Sequence, residues 1–454
     1  MTFESIDPAS GERLETFPAW ETDQLEQAIA GVAKATPAWA ARPIGERCKL
    51  MRQAAQLLRH RKEELATLIT REMGKLLTEA RAEVEKCALA CDYYAENGPR
   101  FLADEPVETD ARKSYVAYQP LGTVLAIMPW NFPFWQVFRF AAPTLVAGNT
   151  GVLKHASNVP RCALAIEAIF HDAGFPEGVF RTLMIRASQV EGVIRDPRIH
   201  AVTLTGSEPA GQAVAAVAGT ALKKSVLELG GSDPFIVLED CNLEETVKQA
   251  VASRFLNAGQ SCIAAKRFIL LEGIAGPFME RFEAAVAALK PGNPMAPETT
   301  LAPMARTDLR DDLHQQVCDS IKQGAIPVTG CKPVEGKGAF YQPSILDRVA
   351  PGMRAYTEEL FGPVAIVIRA KDEEEALAIA NSSRFGLGGS IWTADLRRGE
   401  KLALQIQAGC CFVNGMVKSD PRLPFGGIKA SGYGRELSWQ GIHEFVNTKT
   451  VWIG

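Results

Sequence analysis

Strand-like and helix-like runs alternate from Val124 onward, and this alternation limits the fold more than any other feature of the chain. The apolar run 124–128 precedes a helical period from Phe134 to about Val146, closed by Gly148. Residues 151–154 lead through a loop at Ser157 into a helix from about Pro160 to Ala173. Residues 201–205 lead through Gly206 into a helix capped by Ser207. From Gly230 the pattern starts again with a strand at 234–238, a helix at 243–256, a strand at 267–271 and a helix at 277–289. A helix between two strands carries the chain back to the end it left, so the strands pair mostly in parallel and the class is α/β. Ligands of such sheets sit beyond the strands' carboxyl ends. At 454 residues the chain exceeds one hydrophobic core and divides into two or three domains.

Ahead of this region, residues 3–20 read as a β-hairpin around a Pro-Ala-Ser-Gly turn, and residues 22–97 as several stacked helices with apolar positions such as Leu25, Ile29 and Val32. Residues 113–119 alternate as a strand. A net charge of −4, with 47% hydrophobic and 22% charged residues, gives no electrostatic reason to expect nucleic acid or an anionic membrane as partner. No apolar run reaches the roughly 18 residues of a membrane span, and the start Met1-Thr-Phe-Glu lacks a basic region before a hydrophobic stretch. A cytoplasmic protein is therefore expected. Ten cysteines in a chain this long are too sparse for a disulfide scaffold, so they are expected to be reduced. Neither Cys87 with Cys91 nor Cys410 with Cys411 has zinc-site spacing, and no metal is expected.

Four stretches carry groups suited to acyl chemistry. Asn257-Ala-Gly-Gln-Ser-Cys262 ends a helix and precedes a strand, placing the thiol of Cys262 on a connection. A thiol of ordinary pKa needs a base, a cation or converging N–H dipoles to become a nucleophile, so a lowered pKa is expected there. Val226-Leu-Glu228-Leu-Gly-Gly sets one carboxylate in an apolar strand, where burial would raise it toward a general base. Met128-Pro-Trp-Asn131 puts an amide after a strand, suited to a developing oxyanion. Glu358-Glu359-Leu-Phe361-Gly-Pro adds a carboxylate and a ring before another strand. Phe132, Trp135, Gln136 and Arg139 share one helical face beginning beside Asn131. A cation on such a face wants a partner; a distant carboxylate or a substrate carboxylate would serve, and the adjoining site favours the substrate. The Gly-rich stretch 381–390 lacks the Lys-Ser/Thr ending of a phosphate loop and reads as a structural turn. No Gly-x-Gly-x-x-Gly follows any strand; the helix N-terminus at Ser207 still offers free N–H groups to a pyrophosphate.

In their order and separation these stretches resemble the aldehyde dehydrogenase family over nearly the whole chain. The run from Ala126 to Gln136, the run Leu227-Glu-Leu-Gly-Gly-Ser-Asp-Pro-Phe and the ending Pro424-Phe-Gly-Gly-Ile-Lys-Ala-Ser-Gly-Tyr-Gly-Arg-Glu are most similar to bacterial succinate-semialdehyde dehydrogenases of the NAD(P) type. The resemblance implies two Rossmann-like parallel-sheet domains plus a small β oligomerisation element. Residues 1–105 and 123–229 would bind NAD(P), 230–432 would be catalytic, and 106–122 with 433–454 would pair into the element of a homo-oligomer, dimer or tetramer. It implies that the Cys262 thiolate adds to an aldehyde, that Asn131 and the Cys262 N–H hold the oxyanion, and that hydride passes to the nicotinamide. Glu228 then activates the water that hydrolyses the thioester.

Cofactor contacts implied in the same way are Ile127, Pro129, Trp130, Lys154, Ser157, Ser207, Leu229, Glu359 and Phe361, with plain core packing the weaker alternative for Trp130 and Phe361. Substrate contacts are Arg139 and Ser419 at an anionic end, with Phe132, Trp135, Leu256, Ile263 and Phe425 walling a short apolar tunnel. Two departures stand out. Many NAD-selective relatives carry Glu at the position of Ser157, so its absence leaves Lys154 free for a 2′-phosphate and points to NADP over NAD. Many also carry Lys at the position of Phe140, whereas this chain has its cation one residue earlier, at Arg139. The small ω-carboxyl aldehyde succinate semialdehyde fits best. Glutarate semialdehyde, an aromatic aldehyde, a CoA-acylating reaction, or a non-catalytic role on the same fold are the competing readings.

Overall fold

The computed structural model describes residues 2–454. Its first sheet has six strands, in the order Gly432–Tyr433, Lys224–Glu228, Ile199–Thr205, Thr123–Met128, Thr150–His155 and Phe180–Thr182. All neighbours pair in parallel except the short edge strand Gly432–Tyr433, which runs antiparallel to Lys224–Glu228. The strand order reverses at Thr123–Met128: later strands lie on one side of it up to Phe180–Thr182 and on the other from Ile199–Thr205. Such a switch point opens a crevice at the carboxyl ends, because the flanking crossovers leave in opposite directions.

The second sheet has seven strands, in the order Ile326–Thr329, Ser344–Asp347, Val364–Ala370, Ala265–Leu271, Asp233–Val237, Ser390–Trp392 and Phe412–Val413. Only Ile326–Thr329 is antiparallel. Its middle strands, such as Ala265–Leu271, are buried along their whole length, which is why they read as continuous apolar runs.

Most expected elements appear with ends shifted by a residue or two. The hairpin is Thr2–Ile6 against Arg13–Pro18. The N-terminal helical region resolves into Thr22–Ala41, Ile44–His60, Lys62–Met73 and Leu77–Phe101. One expectation fails by more: the helix placed at 277–289 begins at Glu272, so that Pro277 lies inside its second turn. Proline disrupts the backbone bond to the residue four before it. Here that residue lies at the helix start, where the disruption costs little. Lys113–Pro120 pairs antiparallel with Val446–Ile453 along its full length, and Glu105–Pro106 adds a third short strand. Trp452 is 57% exposed on this ribbon.

An aromatic cluster fastens the second sheet to its helices. Phe268 is fully buried, with ring centroids 5.0 Å from Phe235 and 5.0 Å from Phe282. Phe268→Ala should lower stability by about 3–5 kcal/mol through lost burial and a residual cavity. A urea unfolding curve with an unchanged midpoint would contradict this.

Candidate active site

Asn131, Glu228 and Cys262 come from the two sheets and lie near one another where these adjoin: Asn131 binds the carbonyl two residues before Cys262, and the Cys262 carbonyl stands against Gly231, just past Glu228. Asn131 and Glu228 stand at or just past the carboxyl ends of two strands of the first sheet, whereas Cys262 lies on the turn that leads into Ala265–Leu271 of the second. The turn before Cys262 is unusual. Asn257 and Ala258 both take left-handed backbone angles, φ 54° and 53°, which reverses the chain after the helix Leu243–Phe255. Its amides bind it in place: Asn257 Nδ2 donates to the Asn131 carbonyl at 2.7 Å and to the Gln260 carbonyl at 3.1 Å, and Gln260 Oε1 accepts from the Ala305 N–H at 2.9 Å. Asn131 Nδ2 donates to the Gln260 carbonyl at 3.1 Å. The amide expected to meet an oxyanion is thus tied two residues ahead of the thiol, with its second N–H proton left over.

Lys266 fixes the other side of the loop. Its Nζ donates to the Ser261 carbonyl at 2.8 Å and the Cys262 carbonyl at 2.9 Å, and pairs with Glu359 at 3.0 Å. Glu359 also accepts the Gly231 N–H at 3.1 Å. A side chain at Gly231 would stand 2.6 Å from the Cys262 carbonyl, so the glycine pair after Glu228 is what lets the two segments touch.

Glu228 is 2% exposed, and neither carboxyl oxygen has a hydrogen-bond partner among the described residues. Burial first, then the nearby Glu436, pushes its pKa up to about 8, against the pull of Arg139 and Arg435. The expected raised carboxylate is present. The expectation of a lowered thiol is not met: Cys262 is half-buried, and burial pushes it up to about 12, with Arg139 and Lys266 pulling the other way. Desolvation of the charged form outweighs two cations whose charge is already shared with Glu436 and Glu359.

Arg139 also departs from expectation. It is 2% exposed, its guanidinium lies 4.8 Å from the Phe425 ring centroid, and its Nε pairs with Glu436 at 2.5 Å. Phe425 and Glu436 exchange backbone hydrogen bonds at 2.7 Å, which presents both to Arg139. The cation therefore already has a distant carboxylate as partner. Ser419, expected opposite Arg139, accepts instead from Lys86 Nζ at 2.7 Å.

Phe132, Trp135 and Leu256 line one cavity of about 360 Å³, as expected of a tunnel, and Ile263 and Phe425 belong to the adjoining apolar cluster. The far wall is the helix Leu77–Phe101, whose Glu79, Glu83 and Lys86 recur at i, i+4 and i+7 and so share a face. Glu83 accepts the N–H groups of Phe134 and Trp135 at 2.9 and 3.0 Å, holding the N-terminus of the helix Trp135–Val146, and pairs with the buried Lys75. Glu79 accepts the Asn257 N–H at 3.0 Å. The sequence reading assigned no role to these four residues or to Lys266 and Glu436. The one available signal was that charged spacing on a helix otherwise read as packing.

The residues expected to hold a dinucleotide gather at the carboxyl ends of the first sheet. Ile127 pairs with Lys154 across neighbouring strands, with Pro129 and Trp130 just beyond. Lys154 is half-buried, and desolvation alone lowers its pKa, so no carboxylate neutralises it; Ser157 is exposed nearby. Ser207 is the N-cap of the helix Glu208–Thr220, but its hydroxyl makes no capping bond and faces solvent. Leu229 is buried against Gly211 of that helix. From the second sheet, Phe361 meets Trp130 edge-on, centroids 5.9 Å apart, and both rings are partly exposed. An uncompensated cation, a free hydroxyl at a helix N-terminus and two accessible rings fit a phosphorylated dinucleotide.

A model of the aldehyde dehydrogenase family matches residues 1–451. The chain is 51% identical over 453 residues to a probable succinate-semialdehyde dehydrogenase (NADP+) of Synechocystis, covering 100% of both chains. It is 52% identical over 448 residues to the Escherichia coli succinate semialdehyde dehydrogenase (NAD(P)+) Sad, covering 99% of this chain and 97% of that protein. The crystal structure of succinic semialdehyde dehydrogenase from Streptococcus pyogenes in complex with NADP+ superposes with a TM-score of 0.98 at 39% identity, covering 99% of each chain.

The buried Glu228 has a measurable thermodynamic signature. Its folded pKa lies above the unfolded value near 4.5, so between about 4.5 and 8 the folded state binds more protons and stability falls as pH rises. Glu228→Gln removes that penalty and should be more stable than the parent by roughly 1–4 kcal/mol at pH 7.5, with no difference at pH 4.5. Identical thermal transitions at pH 7.5 would show that the carboxyl is not held neutral.

Proposed function

Because the chain belongs to the aldehyde dehydrogenase family, we propose that it oxidises succinate semialdehyde to succinate with NADP+ as the preferred cofactor and NAD+ as a weaker one. The observation that carries this reading is the nearness of Cys262, Asn131 and an unpartnered Glu228 where the two sheets adjoin, beside an apolar cavity with cations near it. In this reading residues 1–105 and 123–229 hold the dinucleotide and 230–432 supply the nucleophile.

Cys262 Sγ adds to the aldehyde carbon as its proton passes to solvent water, to which Cys262 is partly exposed. The oxyanion accepts hydrogen bonds from the spare Asn131 Nδ2 proton and the Cys262 N–H. When bound in the first sheet's crevice, a nicotinamide would supply the hydride acceptor. Once the substrate is a thioester on Cys262, Glu228 removes a proton from water, whose oxygen adds to the acyl carbon and expels the sulfur. A base with a pKa near 8 can both take and return that proton at neutral pH, whereas an ordinary carboxylate is a weak base there. Lys154 and Ser157 would hold the 2′-phosphate, and Ser207 the pyrophosphate. Ile127, Pro129, Trp130, Leu229, Glu359 and Phe361 would flank the rest. Phe132, Trp135, Leu256, Ile263 and Phe425 wall the aldehyde's path, with Arg139 and Ser419 toward its distal carboxylate. Arg139, paired with Glu436, would line that end without a free charge. The ribbon of Lys113–Pro120 and Val446–Ile453, with Trp452 exposed, would be covered by a second copy of the chain in a homo-oligomer.

Absorbance of reduced cofactor tests the chemistry. Cys262→Ala should lose turnover by about 10³-fold or more. Glu228→Gln should give a burst of close to one equivalent of reduced cofactor per site and then stall; steady-state turnover at the parent rate would remove Glu228 from the hydrolytic step. For the cofactor, Ser157→Glu should shift the ratio of kcat/KM for NADP+ over NAD+ toward NAD+ by about 10- to 100-fold, because a carboxylate there repels the 2′-phosphate. A parent enzyme that prefers NAD+ would overturn the assignment.

A further inference from the structure

We infer that Lys86, together with the Ser419 hydroxyl, is the receptor for the distal carboxylate of the substrate, and so sets the selectivity for an anionic aldehyde. The inference deepens the proposed function and rests on that reading. It begins with the charges lining the cavity. Lys75 and Glu83 form a buried ion pair, and Lys75 also lies over the Phe132 ring at 3.7 Å, so that pair is neutral overall. Glu79 spends one oxygen on the Asn257 N–H, and burial pushes it toward its neutral form. Lys86 remains. Among the described residues no carboxylate lies within ion-pairing distance of it, and Glu83 and Asp420 act on it only from farther away. Lys86 is thus the cation lining the cavity that has no carboxylate partner.

Geometry aims that charge inward. Lys86 Nζ lies 4.3 Å from the centroid of the Trp135 ring, on a wall of the cavity, and donates to Ser419 Oγ at 2.7 Å. Because the Ser419 oxygen accepts from Lys86, its own proton is free for another acceptor. An ammonium with two further protons and a rotatable hydroxyl 2.7 Å from it can together serve one carboxylate. Burial, and then the nearby Arg139, lower the Lys86 pKa to about 8. Two cations that repel each other beside one carboxylate, Glu436, are relieved when a second anion enters. Arg139 is engaged by Glu436 and Thr205, whereas Lys86 has only a hydroxyl.

The test compares succinate semialdehyde with 4-oxobutanamide, which has the same length and no charge, in the parent, Lys86→Met, Lys86→Gln and Lys86→Arg enzymes. Replacing Lys86 by Met or Gln should raise KM for succinate semialdehyde about 10- to 100-fold, the range of one charge-assisted hydrogen bond, with kcat within about 2-fold. The ratio of kcat/KM for the acid over the amide should fall by the same factor, and Lys86→Arg should restore most of it. An equal loss on both substrates, which a purely structural role would produce, overturns the inference. So does an unchanged KM in both neutral variants. A parent enzyme that does not prefer the acid over the amide instead rejects the proposed substrate, independently of Lys86.

Discussion

Hydrogen bonds between Asn131 and the loop ahead of Cys262 tie the two sheets together at the site: its side chain donates to the Gln260 carbonyl and its own carbonyl accepts from Asn257. Neither sheet alone contains a reaction centre: the first ends in an amide and a buried carboxyl, the second presents a thiol. The amide web of Asn257, Gln260 and Asn131 makes the thiol's position a function of the first sheet's strand ends. Two left-handed residues in a row, one of them alanine, are kept in a costly backbone conformation by the same web. Asn is among the residues that tolerate that conformation, and here its side chain also supplies the bonds.

Burial decides the electrostatics around this joint. Arg139, Lys266 and Lys75 each have a carboxylate, and the field left over is small compared with the cost of removing a thiolate from water. Burial therefore favours the protonated thiol of Cys262 and pushes the Glu228 carboxyl up to about 8. A resting protein with an uncharged nucleophile is also a poor target for adventitious oxidation, since the thiolate is the reactive form.

The sheets were legible because alternation of strand and helix is a local signal, and burial of both faces turns strands such as Ala265–Leu271 into plain apolar runs. Cys262, Glu228 and Asn131 were legible from their motifs, each at a strand end or a loop where its type made chemical sense. The pairing of Arg139 was not, because its partner Glu436 lies nearly 300 residues away and only tertiary structure sets them together. The low-pKa thiol was misread for a related reason: the cations were visible in the sequence, but the carboxylates that offset them and the depth of burial were not. Lys86, Glu83 and Glu79 were overlooked because a charged stripe on a helix also describes a solvated face, and which face points inward depends on what packs there.

The surroundings of Glu228 and the walls of the cavity differ in how far they can change. On the Glu228 side the close approach is made by backbone: Gly231 stands against the Cys262 carbonyl, and a side chain at Gly426 would stand 2.8 Å from a Glu228 oxygen. On the opposite side the surface is made of side chains from one helix, including Thr78 and Ala82 beside the charged residues. Scope for diversification is thus lopsided. A descendant of this chain could reshape the cavity through exchanges along Leu77–Phe101, and the packing around Glu228 and Cys262 would be inherited unaltered.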